Sequence, residues 1–228
     1  MSSTILYIET STNVCSVALS ENSNCLFTKS NSDGMNHAAL LSVFIAEALE
    51  VLKLTDKKLD AVAVSSGPGS YTGLRIGVST AKGLCYGFNI PLIAVSTLEV
   101  LTVQALNLIN EKESALFCPM IDARRMEVYA AFYTAKGEIF RDISADIITS
   151  DSYNEELANH LVYFFGNGAE KCKDTLIHPN ARFIDNLVPL AQNMIQFADN
   201  AFDKKQFVDV AYFEPFYLKE FQITVSKK

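Results

Sequence analysis

Three short apolar segments open the chain, at 5–9, 14–20 and 25–29, separated by the turn formers Thr10-Ser11-Thr12-Asn13 and Glu21-Asn22-Ser23-Asn24. This pattern predicts an antiparallel meander. After a polar loop at Asn31, Ser32, Asp33 and Gly34 the period changes: Leu40, Leu41, Phe44, Ile45, Ala48, Leu49 and Leu52 recur at spacings of three and four. A helix over 36–54 follows from that spacing, with Glu47 and Glu50 on its wet side. Ala39, Val43 and Ala46 make the apolar stripe wider than one buried face requires. The run 59–64 predicts a strand, 70–87 a helix and 90–95 another strand, and strands joined through helices imply parallel neighbours. Ser96-Thr97-Leu98-Glu99 is a capping-box pattern that opens a connecting helix to about residue 109.

The second half repeats the first in shorter form. Strands are expected over 115–122, 127–133 and 138–141, another near Ile147, a helix over 153–160, a strand over 161–165, the turn Gly166-Asn167-Gly168, and a helical segment over 189–202. Glu9 precedes Cys15 by six residues and Leu26 by seventeen; Asp122 precedes Val128 by six and Ile139 by seventeen. Shared strand order and shared spacing indicate an internal duplication. The expected architecture is α/β, a βββαβαβ repeat with a reduced second half. Its expected domains are 1–96, a connecting helix 97–113, and 114–228. The aromatic tail around Tyr212 to Leu218 is expected to be extended and to pack back onto a domain.

The stretch around Gly67-Pro68-Gly69-Ser70 reads as a strand, a tight turn and a helix start. Gly67 and Gly69 allow positive φ and close backbone approach, Pro68 fixes its own φ, and Ser70 or Thr72 can cap the helix amides. A helix mouth of this kind favours an anion. The helix beyond it holds Gly73, Gly77, Gly83 and Gly87, each costing about 1 kcal/mol against alanine. With Ile76 and Thr80 they leave one side nearly bare, so a second helix can approach closely. That helix could come from the same domain or from another chain.

Composition narrows the class. In 228 residues the apolar share is 49%, which supports ordinary folded cores, and no apolar run is long enough for a membrane helix. The start Met1-Ser2-Ser3-Thr4 shows no signal pattern, so a cytoplasmic location is expected. Five cysteines without a CxxC pair argue against a disulfide framework and a structural zinc site. The formal charge of −7 does not suit a chain that grips nucleic acid alone, and Arg124-Arg125, Lys204-Lys205 and Lys227-Lys228 read as solvated surface.

Candidate chemistry is sparse. Glu9 and Asp122 end equivalent strands and could face each other across an interdomain cleft that also includes Thr10, Gly67, Gly69 and Ser70, a vestigial nucleotide or anion site. No Walker lysine follows the glycine turn. His37 has Leu41, not a second histidine, four residues on, and His160 and His178 lie in other segments, so His37 is expected to cap or sit on the surface. Ser65, Ser66 and Ser70 have no recognisable histidine and acid partners.

Ile8-Glu9-Thr10-Ser11, the run from Gly67 to Gly77, Ala81-Lys82-Gly83-Leu84, Asp122-Ala123-Arg124-Arg125-Met126-Glu127-Val128-Tyr129 and Pro215-Phe216-Tyr217-Leu218 together resemble the bacterial TsaB (YeaZ) family across the whole chain. The resemblance implies a duplicated actin-like, sugar-kinase-like (ASKHA, ribonuclease-H-like) fold. It implies a non-catalytic subunit that pairs with TsaD and the ATPase TsaE in placing threonylcarbamoyl on adenosine of ANN-decoding tRNAs, with tRNA met only through the complex and no cofactor or metal of its own. The expected docking face joins the two long helices through Ala39, Val43, Ala46, Gly73, Ile76, Gly77, Thr80, Gly83 and Gly87, flanked by Ser79 and Lys82, and would give a homodimer when the partner is absent. The alternatives are a free-standing nucleotide-dependent enzyme and a glycoprotease-like hydrolase.

Overall fold

A computed structural model describes residues 3–32, 34, 36–109 and 114–219. Met1, Ser2, Asp33, the last residues of the expected 97–113 connector and the Lys227-Lys228 pair lie outside the described residues.

The meander forms as β1 (Thr4–Glu9), β2 (Cys15–Glu21) and β3 (Asn24–Asn31), followed by α1 (His37–Leu54), β4 (Ala61–Gly67), α2 (Tyr71–Phe88) and β5 (Leu92–Ser96). These strands make one sheet in the order β3-β2-β1-β4-β5, with β1 antiparallel to β2 and parallel to β4. The connecting helix α3 (Thr97–Leu108) starts at the Ser96–Glu99 capping box. Next come β6 (Leu116–Asp122), β7 (Glu127–Thr134), β8 (Ile139–Ile147), α4 (Asn154–Asn159), β9 (Val162–Phe165) and β10 (Ala181–Ile184), then α5 (Ile195–Asp203). The second sheet runs β10-β9-β6-β7-β8, the mirror listing of the first, so the two sheets share one topology. This is the duplicated actin-like α/β plan. The second copy is cut down: α4 has 6 residues where α1 has 18, and a 3-residue 3-10 turn, Glu170–Cys172, stands where α2 would be.

Two expectations change here. The separate strands at 138–141 and Ile147 are one continuous strand, β8. The expected domain at 114–228 does not keep its last segment: Ala191, Met194 and Ala198 pack on Ile5, Tyr7, Ala18, Ala61 and Ile93 of the first sheet. The reason is burial. β1 is buried along its whole length, so both faces of the first sheet must be covered. Leu41, Phe44, Ile45, Val78 and Ala81 of α1 and α2 cover one face, and the returning chain covers the other. Val208 then bridges Leu92, and the tail packs back onto the first half, as expected of it: the Phe216 amide donates to the Ser66 carbonyl at 2.7 Å, and Tyr217 packs on Tyr71 with ring centroids 4.8 Å apart.

Candidate functional site

The β1–β2 turn is held by four hydrogen bonds from three directions. Beneath it, the Ser11 amide donates to the Glu9 carboxylate at 2.6 Å. From α2, Thr10 Oγ1 donates to the Gly73 carbonyl at 2.8 Å, while the Ser70 amide donates to the Ser11 carbonyl at 2.6 Å. From α1, His37 Nε2 meets the Thr12 carbonyl at 2.8 Å. His37 is therefore a buried tie between α1 and the turn, where a capping or surface histidine was expected. Ser70 caps α2 as expected, its hydroxyl accepting from the Gly73 amide at 3.3 Å.

This packing closes the β1–β2 turn against the mouth of α2. Glu9, Thr10 and Ser11 are buried, and the α2 mouth faces the chain's own Ser11 carbonyl. A Cβ on Gly69 would collide with that carbonyl, and one on Gly67 would stand 2.8 Å from the Phe216 carbonyl of the tail. Of the two glycines only Gly67 takes a positive φ, +111°; Gly69 is required by close approach alone. Asp122 does not join the set. It is exposed on the second sheet, paired with Lys171, and its amide takes Asn167 Oδ1 at 3.0 Å. Glu9, Thr10, Gly67, Gly69 and Ser70 thus meet around one packed turn, in which Ser70 is exposed and Gly67 lines an open cavity with Ser66, Phe216 and Tyr217.

Burial pushes the Glu9 carboxyl up to about 7, only partly offset by donation from Ser11. Its Oε2, Ser11 Oγ and Ser65 Oγ are buried without hydrogen-bond partners. The repeat explains the turn after β9 in the same way. Gly166 has φ +96° and presses on the Met120 carbonyl, and Gly168 presses on Ile121, as Gly67 and Gly69 do on their own neighbours. Both turns serve close packing of sheet against loop.

The expected bare stripe on α2 divides in two. Gly73 and Gly77 are buried, and a Cβ on either would collide with Thr10, so these two glycines serve packing inside the chain and are not open to a partner. Gly83 and Gly87 are exposed, with open space where a Cβ would stand. Ala39, Val43 and Ala46 of α1 are exposed as well, and Ile76 and Thr80 are half-buried. Lys82 does not flank an open face either: its ammonium donates to the Ala211 and Phe213 carbonyls at 2.9 and 3.1 Å and holds the tail.

Sequence reasoning missed Tyr86 and Phe88 at the end of α2. They are 87% and 51% exposed, and Val43 of α1 is 50% exposed. The signal was present: two aromatics at helix positions that the core stripe of Leu74, Val78, Ala81 and Cys85 does not use. Among the described residues no group of three or more histidine, cysteine or acidic side chains could hold a metal ion. No described helix is long and apolar enough to cross a membrane.

A family model described as TsaD, tRNA N6-adenosine threonylcarbamoyltransferase, matches residues 32–224. The chain is 28% identical to the tRNA threonylcarbamoyladenosine biosynthesis protein TsaB of Haemophilus influenzae, over 98% of this chain and 96% of that protein. Its similarity to the Bacillus subtilis protein of the same name is 32% over 63% of this chain, and spans only 60% of that relative. In structure it is similar to YeaZ from Pseudomonas aeruginosa, with a TM-score of 0.77 and 25% identity over 95% of this chain and 100% of that one.

Proposed function

The chain belongs to the TsaB (YeaZ) family, and from that premise we propose that it is the non-catalytic partner of TsaD, supporting threonylcarbamoyl transfer to adenosine of ANN-decoding tRNAs together with TsaE. It is a component of tRNA threonylcarbamoyladenosine biosynthesis. The observation that carries the subunit role is the exposed face of α1 and α2. Ala39, Val43 and Ala46 of α1 and Gly83, Tyr86, Gly87 and Phe88 of α2 are exposed, and Ile76 and Thr80 are half-buried. Small side chains allow a partner helix to approach closely, and flanking aromatics supply contact area. The same face would pair two copies of the chain when TsaD is absent.

The cleft supports this reading over a free-standing nucleotide-dependent enzyme. In that role Glu9 would have to reach a ligand, but it lies beneath its own turn, and the Phe216 carbonyl stands over Gly67. For a hydrolase, Ser65 is buried, so its hydroxyl is not open to a substrate.

The test is gel filtration with TsaD of the variants Thr80→Arg and Gly83→Arg. Gly83 tolerates the change within the fold, since a side chain there meets open space, and the thermal melt checks the half-buried Thr80. Co-elution is expected to be lost while the thermal melt is retained. Co-elution equal to that of the unsubstituted chain would remove this face from the assignment.

A further inference from the structure

The outer strands of the two sheets are β3, β5, β8 and β10, and an open strand edge is a template for pairing with another chain. The chain blunts most of these edges. Val208 bridges β5 at Leu92, β10 has only 4 residues, and β3 is largely polar through Asn24, Thr28, Lys29, Ser30 and Asn31. β8 is longer, with 9 residues, and apolar side chains recur along it.

The second part of β8 is regular. Ser144 to Ile147 pair without a break with Ala130 to Glu127 of β7, and the register shifts lie beyond, between Ala130 and Tyr133. The Ile148 amide donates to the Met126 carbonyl at 2.7 Å. In the alternation of an antiparallel pair, Asp146 and Ser144 therefore also turn their main-chain groups to β7, and Ile147, Ala145 and Ile143 turn theirs outward. Among the described residues no strand receives them, and at the Ile147 carbonyl stands only Ser152 Oγ, a long contact at 3.5 Å.

The side chains agree with the main chain. Ile147 is 71% exposed and Ile143 and Ala145 are half-buried, while Ile143 packs with Tyr129 and Tyr133 on one face of the sheet. The charges lie on the other face. Arg141 lies over the Phe132 and Tyr153 rings, pairs with Asp146 and stands 3.7 Å from Glu156. Asp146 also accepts from Ser144 at 2.8 Å and from the Tyr153 hydroxyl at 2.7 Å. This edge offers an approaching strand apolar side chains and charges that are already matched, so it suits an apolar strand better than a charged peptide.

We propose that β8 is a self-association edge, pairing antiparallel with β8 of a second copy about a two-fold axis at Ala145. In this register Ile143 stands opposite the partner's Ile147, Ala145 opposite the partner's Ala145, and Ser144 opposite the partner's Asp146. Residues with outward main-chain groups meet one another, so each such pair exchanges both of its hydrogen bonds. Isoleucine packs on isoleucine across the strands, and no like charges are opposed: the exposed Asp142 falls outside the paired stretch, opposite the partner's Ile148. A second copy is the occupant because the register that sets apolar against apolar is this strand read against itself, which makes the contact isologous and closes it at two chains. It leaves α1 and α2 free and does not rest on the subunit role proposed above.

The test is sedimentation velocity of the chain carrying Gly83→Arg, which removes the α1–α2 face from self-association, over about 1 to 100 μM, the range expected of a small interface. A reversible dimer is expected. Adding Ile147→Lys places an ammonium against the partner's Ile143, at a position exposed enough to accept it within the fold. Adding Ala145→Pro removes the central outward N–H, a change that an edge strand tolerates where the N–H faces solvent. Each should weaken the dimer about tenfold or more while the thermal melt is retained. A monomer at every concentration before these additions would overturn the proposal, whether the edge stays solvated or another part of the chain takes it. A dimer of unchanged strength in both variants would overturn it as well. Co-elution with TsaD tests the subunit reading separately, so either can fail alone.

Discussion

Thr10 Oγ1 occupies the space that a side chain on Gly77 would need, and the same hydroxyl donates to the Gly73 carbonyl at 2.8 Å. One threonine thereby fixes the distance between the β1–β2 turn and α2. It also decides which glycines of that helix are spent inside the chain.

Gly77→Ala and Gly83→Ala should therefore change stability in opposite directions. At Gly83 the added methyl meets open space, and the gain in helix propensity should stabilise the fold by about 0.5–1 kcal/mol. At Gly77 it collides with Thr10, and overpacking should destabilise by about 1–3 kcal/mol. Urea unfolding of the two variants checks this, and shifts of the same sign would contradict it.

Glu9 should make stability depend on pH. Its carboxyl holds a proton up to about pH 7 in the folded chain, against an ordinary value of 4.5. Between those values the folded state keeps a proton that the unfolded chain has released, so stability should fall as pH rises from about 4.5 to about 7 and then level off. The full effect is on the order of 3 kcal/mol. Glu9→Gln keeps an oxygen for the Ser11 amide and supplies an N–H for the unpartnered hydroxyls of Ser11 and Ser65. Denaturation midpoints measured from pH 4.5 to 8 should flatten in this variant and exceed those of the parent at pH 8. Parallel pH profiles for the two proteins would rule Glu9 out as the source.

The five thiols should separate by exposure. Cys25 is exposed, while Cys15, Cys85, Cys118 and Cys172 are buried, and burial raises the Cys15 and Cys85 thiols to about 11. A thiol-reactive chromophore should label one cysteine rapidly in the native protein and the other four only on unfolding. Replacement of Cys25 by serine should abolish the fast phase.

Most of the architecture was legible in the sequence because its elements announce themselves locally. The three-and-four spacing of α1, the Ser96–Glu99 box and the alternation of the opening meander each need only neighbouring residues. The duplication was readable from spacing because both β1 and β6 end in an acid followed by a hairpin. What could not be read were contacts between distant segments. Nothing near Gly73 or Gly77 says that residue 10 will press on them, and nothing near residue 195 says that α5 will leave the second half to cover Ile5 and Tyr7. The α2 stripe misled for the same reason. Glycines at helical spacing reveal that something comes close, and only the tertiary fold tells whether it is Thr10 or another molecule.

The tail offers a last test, because it is tied down at few points. Lys82 Nζ donates to the carbonyls of Ala211 and Phe213, and four residues on from Tyr212 the Phe216 amide reaches the Ser66 carbonyl. Lys82→Met keeps the aliphatic stem but leaves both carbonyls without that donor. Hydrogen bonds from a charged group contribute about 1.5–3 kcal/mol, and partial exposure of Lys82 places the loss at the lower end. The segment should then open more often while the sheets remain intact, since Val208 still bridges Leu92 at the base of the tail. Exchange of the Phe216 amide should accelerate about tenfold, corresponding to about 1.4 kcal/mol, with little change at β1 or β4. Equal exchange in parent and variant would mean that Tyr217 stacking on Tyr71 holds the tail without help from Lys82.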